Sequence, residues 1–191
     1  MVAAHPGIIV CLAFFRYPSH TMSKLERRPP VPIPPIHPEP EYRVTGQRAQ
    51  WYADMKNVLQ VPWMGVVTMA FSHYPSVFNT FWDGLRPLAK STPFVEACVE
   101  IREQPERRAR DLGPDLIVRR LAAIGYAPRE IDQIRATIEV FSHGNFPYLL
   151  AATAARRLLE GHQPGEGVEA QQFEGRHAPS LDVPFVLMET H

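Results

Sequence analysis

A chain of 191 residues is long enough for one ordinary hydrophobic core with tails. Its 20 Lys and Arg balance its 20 Asp and Glu, which argues against a nucleic-acid or anionic-membrane partner and leaves self-association unopposed. Cys11 and Cys98 form neither a CxxC pair nor a disulfide framework, as suits a reducing compartment.

In chain order, the apolar run Ile8 to Phe15 is too short to span a bilayer. It lacks a preceding Lys or Arg and a small-x-small cleavage site, so it does not read as a signal peptide. Met22 is an alternative start, residues 1–21 read as an extension, and the expected location is cytoplasmic. From Pro29 to Pro40 seven of twelve residues are proline, which excludes helix and central strand and predicts an extended arm. Residues 1–44 are accordingly read as extension plus arm.

The folded part is expected over residues 45–161. Trp51, Met55, Val58 and Leu59 recur at helical spacing, with Thr45 as N-cap. Pro62 suits a first helical position, so Trp63 to Ser72 reads as a short apolar helix. Pro75 opens a third helix carrying Phe78, Phe81, Trp82, Leu85 and Leu88. An amphipathic helix from Phe94 to Asp111 is kinked at Pro105, and Gly113-Pro114 marks a boundary. Leu116, Ile117, Leu121 and Ile124 form an apolar stripe closed by Gly125. Ile131, Ile134, Ile138 and Phe141 form another, and Tyr148 to Leu159 a last helix. No run alternates like a strand, so the fold class is all-α. Residues 162–191 read as linker and tail, ending in the apolar run Val183 to Met188.

Standard catalytic signatures are absent: there is no GxSxG, HExxH or phosphate-binding loop. Gly165-Glu166-Gly167 with Ala170 follows a helix rather than a strand and is discarded as a dinucleotide fingerprint. The eight His show no zinc-ligand spacing, and neither metal nor cofactor is expected. Gly144 can end a helix and Pro147 restart one, which would place Asn145 at a helix-to-helix corner with its amide open to a ligand. Tyr148, three residues on, would reach the same pocket. The bland alternative is a helix cap with a half-buried tyrosine, and Trp63 by itself reads as core sooner than as ligand wall. His143 suits a general base, or a cation at a helix C-terminus.

The block Gln47-Arg48-Ala49-Gln50-Trp51-Tyr52-Ala53-Asp54-Met55-Lys56-Asn57-Val58-Leu59-Gln60-Val61-Pro62-Trp63 resembles the first helix and corner of a repeat in the group I 2-haloacid dehalogenases, the DehI family. Leu121-Ala122-Ala123-Ile124-Gly125-Tyr126, Glu130-Ile131, Phe141, Gly144-Asn145 and Tyr148-Leu149-Leu150 resemble its later part. The resemblance covers roughly residues 45–160 and extends through the linker to Pro184.

The resemblance implies an all-helical enzyme of two related repeats, a pseudo-dimer with its active site between them. Such enzymes hydrolyse the carbon–halogen bond of short 2-haloalkanoic acids, typically of both enantiomers. An aspartate of the second repeat activates a water that attacks the α-carbon directly, with inversion. Trp63, Val66, Asn145 and Tyr148 would line the pocket. Trp63 would pack on substrate or halide, and Asn145 would position water or polar substrate groups. Val66 stands where the family can have phenylalanine. This chain resembles the first repeat and linker alone, and pseudo-symmetry puts the catalytic aspartate at Val67, a side chain unable to activate water. Asp54, Asp83 and Glu139 have no claim to replace it. The expected partner is a second repeat or a second copy in a homodimer, with a small 2-halo or 2-hydroxy acid as ligand. The alternatives are a non-catalytic helical dimer that binds such an acid, and an interaction protein using the proline-rich arm.

Overall fold

The computed structural model describes residues 32, 35–113, 115–162 and 172–178. The readings of Cys11, Ile8 to Phe15, Met22, most of Pro29 to Pro34, Pro114, Gly165 to Gly167 and Val183 to Met188 lie outside them. The described chain is all-α, with six helices and no strand; its one β-bridge is the isolated pair Ser91 and Gln172. The helices are α1 (Gly46–Leu59), α2 (Val66–Ser72), α3 (Pro75–Ala89), α4 (Thr92–Asp111), α5 (Asp115–Ala123) and α6 (Pro128–Leu159). None of them is long and apolar enough to cross a membrane.

Helix starts follow the sequence. Thr45 is the residue before α1, with extended backbone at φ −136°, although its hydroxyl caps nothing. Pro75 begins α3 in the first turn, where its missing N–H costs no helical hydrogen bond. The Ser91 hydroxyl accepts from Phe94 N, capping α4. Gly125, at φ +104°, closes α5 as expected, with Gly125 N bonding to Ala122 O and Tyr126 N to Leu121 O.

The core lies between α1, α3, α4 and α6. Met55 and Leu59 meet Phe78 and Leu85, with Phe94 and Ala97 from α4 and Leu150, Ala151 and Ala154 from α6. The small α6 residues let that helix come close. The α5 stripe departs from this scheme: no α5 residue is buried, and Leu116, Ile117 and nearby Ile124 are exposed.

Two expected boundaries are corrected. First, Gly144 and Pro147 do not divide two helices: α6 runs through both for 32 residues. Gly144 has no left-handed backbone, unlike Gly113, Gly125 or Gly161. Its missing Cβ serves packing, because the Trp63 indole lies in that space. Pro147 is fully buried, and the packing of Leu150, Ala151 and Ala154 carries the helix past the hydrogen bond it deletes. Second, Trp63 is not helical. α2 begins at Val66, since the Trp63 carbonyl accepts from Tyr148 Oη and Met64 N donates to Glu41. Pro62 therefore sits in a corner, not in a first helical turn.

Residues 35–44 lie along this body. Glu39 pairs with Arg48, Glu41 with Lys56, Tyr52 Oη donates to Glu39 O at 3.0 Å, and Tyr74 Oη to Pro35 O at 3.3 Å. The part of the proline-rich arm that is described is thus pinned along α1 and the α2–α3 turn.

Candidate functional site

The corner Val61–Gly65 and the middle of α6 form one packed unit. The Trp63 ring stands 4.9 Å from Phe141 and 6.5 Å from Tyr148, centroid to centroid. A Cβ on Gly144 would fall 2.1 Å from Trp63 Cη2, so only glycine seats the indole. A Cβ on Gly65 would lie 2.8 Å from the Tyr148 ring, so a second glycine lets the tyrosine cover the corner. Tyr148 Oη then donates to the Trp63 carbonyl at 2.6 Å. Burial pushes the Tyr148 phenol above its ordinary pKa, against a lowering contribution from the Gly65 backbone and with Glu41 adding to the rise. The phenol therefore remains a proton donor at any physiological pH.

Tyr148 and Trp63, 85 residues apart in sequence, are brought together. Asn145 is on the same helix but exposed, at the solvent side of α6, and not at a corner between helices. Val66 and Val67 form the first turn of α2 and are 60% and 56% exposed. Ile138, Phe141, Asn145 and Leu149 recur at helical spacing along α6, and all four are exposed. The result is an apolar face with one amide in its stripe.

His143 is neither a helix cap nor free: it lies within α6, its Nε2 2.9 Å from Glu139 Oε1. The carboxylates are otherwise engaged. Asp54 accepts from Trp82 Nε1 at 2.8 Å and from Arg86 at 2.7 and 2.8 Å, and the Arg86 hydrogen bond holds it below the usual carboxylate range despite partial burial. Asp83 accepts from Asn79 at 3.0 Å. Among the described residues no group of three His, Cys, Asp or Glu could hold a metal ion.

Sequence reasoning missed two participants. Phe141 carries no pocket role in the sequence, only a place in an apolar stripe and in the family resemblance, yet it flanks the Trp63 ring. Gly65 was not singled out, and its signal is recognisable only once Tyr148 is known to lie on it.

The sequence and the all-helical fold are similar to those of known enzymes. No protein-family model matches the chain. It is similar to an (R)-2-haloacid dehalogenase of Rhizobium sp. (strain NHG3), 42% identical over 172 residues, which cover 89% of this chain and 66% of the relative. An (R)-2-haloacid dehalogenase of Pseudomonas putida is 37% identical over 163 residues, 82% of this chain and 53% of the relative. The solved structure of a D-2-haloacid dehalogenase in complex with L-LA superposes with a TM-score of 0.58 at 36% identity, over 70% of this chain and 46% of that one. By homology the chain belongs to the 2-haloacid dehalogenase family. Within that family it matches enzymes named for the (R) or D substrate, and spans between about half and two thirds of the length of these curated relatives.

Proposed function

We propose that this chain contributes one half of a hydrolytic 2-haloacid dehalogenase site, acting on short 2-haloalkanoic acids with (R) configuration. The observation that carries this reading is the exposed stripe of Phe141 and Asn145 on α6 beside the Trp63–Tyr148 corner, with Val66, the residue after that corner, exposed as well. A site between two repeats needs such an open apolar wall, closed only when the other half arrives. The preference for the (R) form rests on the names of the relatives at 42% and 37% identity.

In this reading the residues divide the chemistry as follows. A halide leaves with the bonding electron pair and needs no proton, so no general acid is required. The site must supply a base for the attacking water, donors for the carboxylate and the departing halide, and exclusion of bulk solvent. Trp63 packs on the substrate or halide, Asn145 holds the water or a polar substrate group, Tyr148 fixes the corner, and Val66 leaves a wide wall. Water attacks the α-carbon as the carbon–halogen bond breaks, its proton passing to an aspartate. That aspartate comes from a second repeat, because Val67 cannot serve. Residues 45–161 form the repeat, 1–44 an extension with its proline-rich arm, and 162–191 the linker. The partner that completes the site is a second repeat bringing that aspartate; a second copy of the chain would cover the same apolar face but bring another Val67 in its place.

A second reading, a non-catalytic dimer binding a small carboxylic acid, is favoured by Val67 alone. Halide release from separate enantiomers of 2-chloropropionate decides between them. It is measured for the purified chain, for the chain mixed with the C-terminal half of the Rhizobium relative, and for both with Asn145→Ala. The expected result is release from the (R) enantiomer by the mixture, lost or strongly reduced in the variant. Thermal stabilisation by 2-chloropropionate without release in any mixture would establish the second reading instead.

A further inference from the structure

Gln60 is the sole non-glycine residue with positive φ among the described residues, at φ 53° and ψ 45°. It follows α1 at the position where helices ordinarily place glycine: Gln60 N donates to Asn57 O at 3.3 Å and Val61 N to Lys56 O at 3.0 Å. A side chain here strains the backbone, and the turn itself has no use for one. The Gln60 carboxamide is used elsewhere. Its Nε2 donates to Gly175 O at 2.9 Å, and its Oε1 accepts from His177 N at 2.9 Å and Ala178 N at 3.4 Å. The same segment is tied at its other end, where Phe173 N donates to Lys90 O at 2.8 Å and Gln172 bridges to Ser91. Residues 172–178 therefore cross from the α3–α4 turn to the corner after α1. Phe173 and His177 there close a cleft of about 370 Å³ against Val95, Val99 and Glu100 of α4.

The geometry points to Gln60 as a latch, a positioning residue whose side-chain amide pins the backbone of Gly175 to Ala178 onto the corner that carries Trp63. A carboxamide donates to a carbonyl and accepts from amides through two separate atoms, Nε2 and Oε1, as this backbone requires. Glutamate lacks the donor, and asparagine is shorter by a methylene. The latch fixes residues 175–178 on the helical body, and so deepens the two-repeat reading, in which the linker they belong to connects to the second half. Its test reads hydrogen bonds rather than halide, so the two readings fail separately.

The experiment is residue-resolved amide exchange on the full chain, with tryptic cleavage after Arg176 as a second measure. Gln60→Gly removes the side chain and the backbone strain together, and Gln60→Ala removes the side chain but keeps the strain. In both variants the His177 and Ala178 amides exchange about tenfold faster, the loss of roughly one net hydrogen bond, and cleavage after Arg176 accelerates. Gln60→Gly melts no lower than the parent, whereas Gln60→Ala melts lower. Unchanged exchange at His177 and Ala178 overturns the latch. Faster exchange that merely follows a fall in the melting temperature of Gln60→Gly overturns it equally.

Discussion

Gly144→Ala puts the seat of Trp63 to a direct test. The new Cβ would fall 2.1 Å from Cη2 and 2.8 Å from Cζ2 and Cζ3 of the indole, whereas ordinary contact begins at 3.4 Å. The ring must retreat by more than an ångström, yet Phe141 flanks it and Tyr148 grips the carbonyl of its own residue. Overpacking a rigid group in this way costs about 1–3 kcal/mol. Alanine in mid-helix returns about 1 kcal/mol relative to glycine. The expected net loss is therefore up to about 2 kcal/mol, read as a lower urea midpoint by far-ultraviolet circular dichroism. The decisive comparison repeats the change in a Trp63→Phe background. A phenyl ring is shorter than the indole, so the alanine methyl has room and only the helix-propensity gain of about 1 kcal/mol remains. The sign of the effect should reverse. Equal destabilisation in both backgrounds, or a stabilised Gly144→Ala parent, would refute the seating of the indole on the helix.

Three further outcomes follow from the same geometry. Tyr148→Phe should cost about 1–2 kcal/mol in urea unfolding, since it removes the donor to the Trp63 carbonyl and leaves that oxygen under a ring; an unchanged midpoint would mean that water replaces the hydroxyl freely. Asp54 is held below its unfolded pKa near 3.9, so its contribution is complete above that pH and is lost as pH falls through the lower folded value. Asp54→Asn should accordingly flatten the acid side of the stability curve, and a parallel curve for both proteins between about pH 2 and 5 would count against it. His177 is depressed by burial first, then by His143 and Arg176. Its imidazole should titrate below the ordinary value near 6.5 in a proton NMR titration, and its stabilising contribution, present above that value, should fade as the solution is acidified; titration at or above 6.5 would show the ring open to water.

The helices whose apolar residues recur on a face packed into the core were legible in advance. Met55, Val58 and Leu59 in α1, and Phe78, Trp82, Leu85 and Leu88 in α3, are buried as expected, together with Tyr52 and Ala89, while Trp51 and Phe81 are half-buried. The all-α class followed from the same periodicity. The α6 region was misjudged because Gly144 and Pro147 are local helix breakers, and local chemistry cannot report a tryptophan arriving from 81 residues upstream. The α5 stripe was legible as a pattern but not as an exposed one, since periodicity marks an apolar face without saying what covers it. Of the candidate pocket residues, Trp63 and Tyr148 meet through a hydrogen bond that the sequence order alone did not determine, while Asn145 and Val66 point to solvent. Gln60 was invisible, because glutamine carries no turn preference that would mark a left-handed position.

The continuity of α6 has a mechanical consequence. Ile138, Phe141, Asn145 and Leu149 ride on one rod, so their mutual spacing is set by helical rise rather than by loop geometry. Pro147, which deletes one rung of that rod, sits two residues beyond Asn145. A bend of about ten degrees there would swing Ile138, about 13 Å away along the axis, through roughly 2 Å, while Asn145 beside the pivot would hardly move. The outer end of the face is thus the part such a bend displaces, with the one amide of the stripe beside the fulcrum.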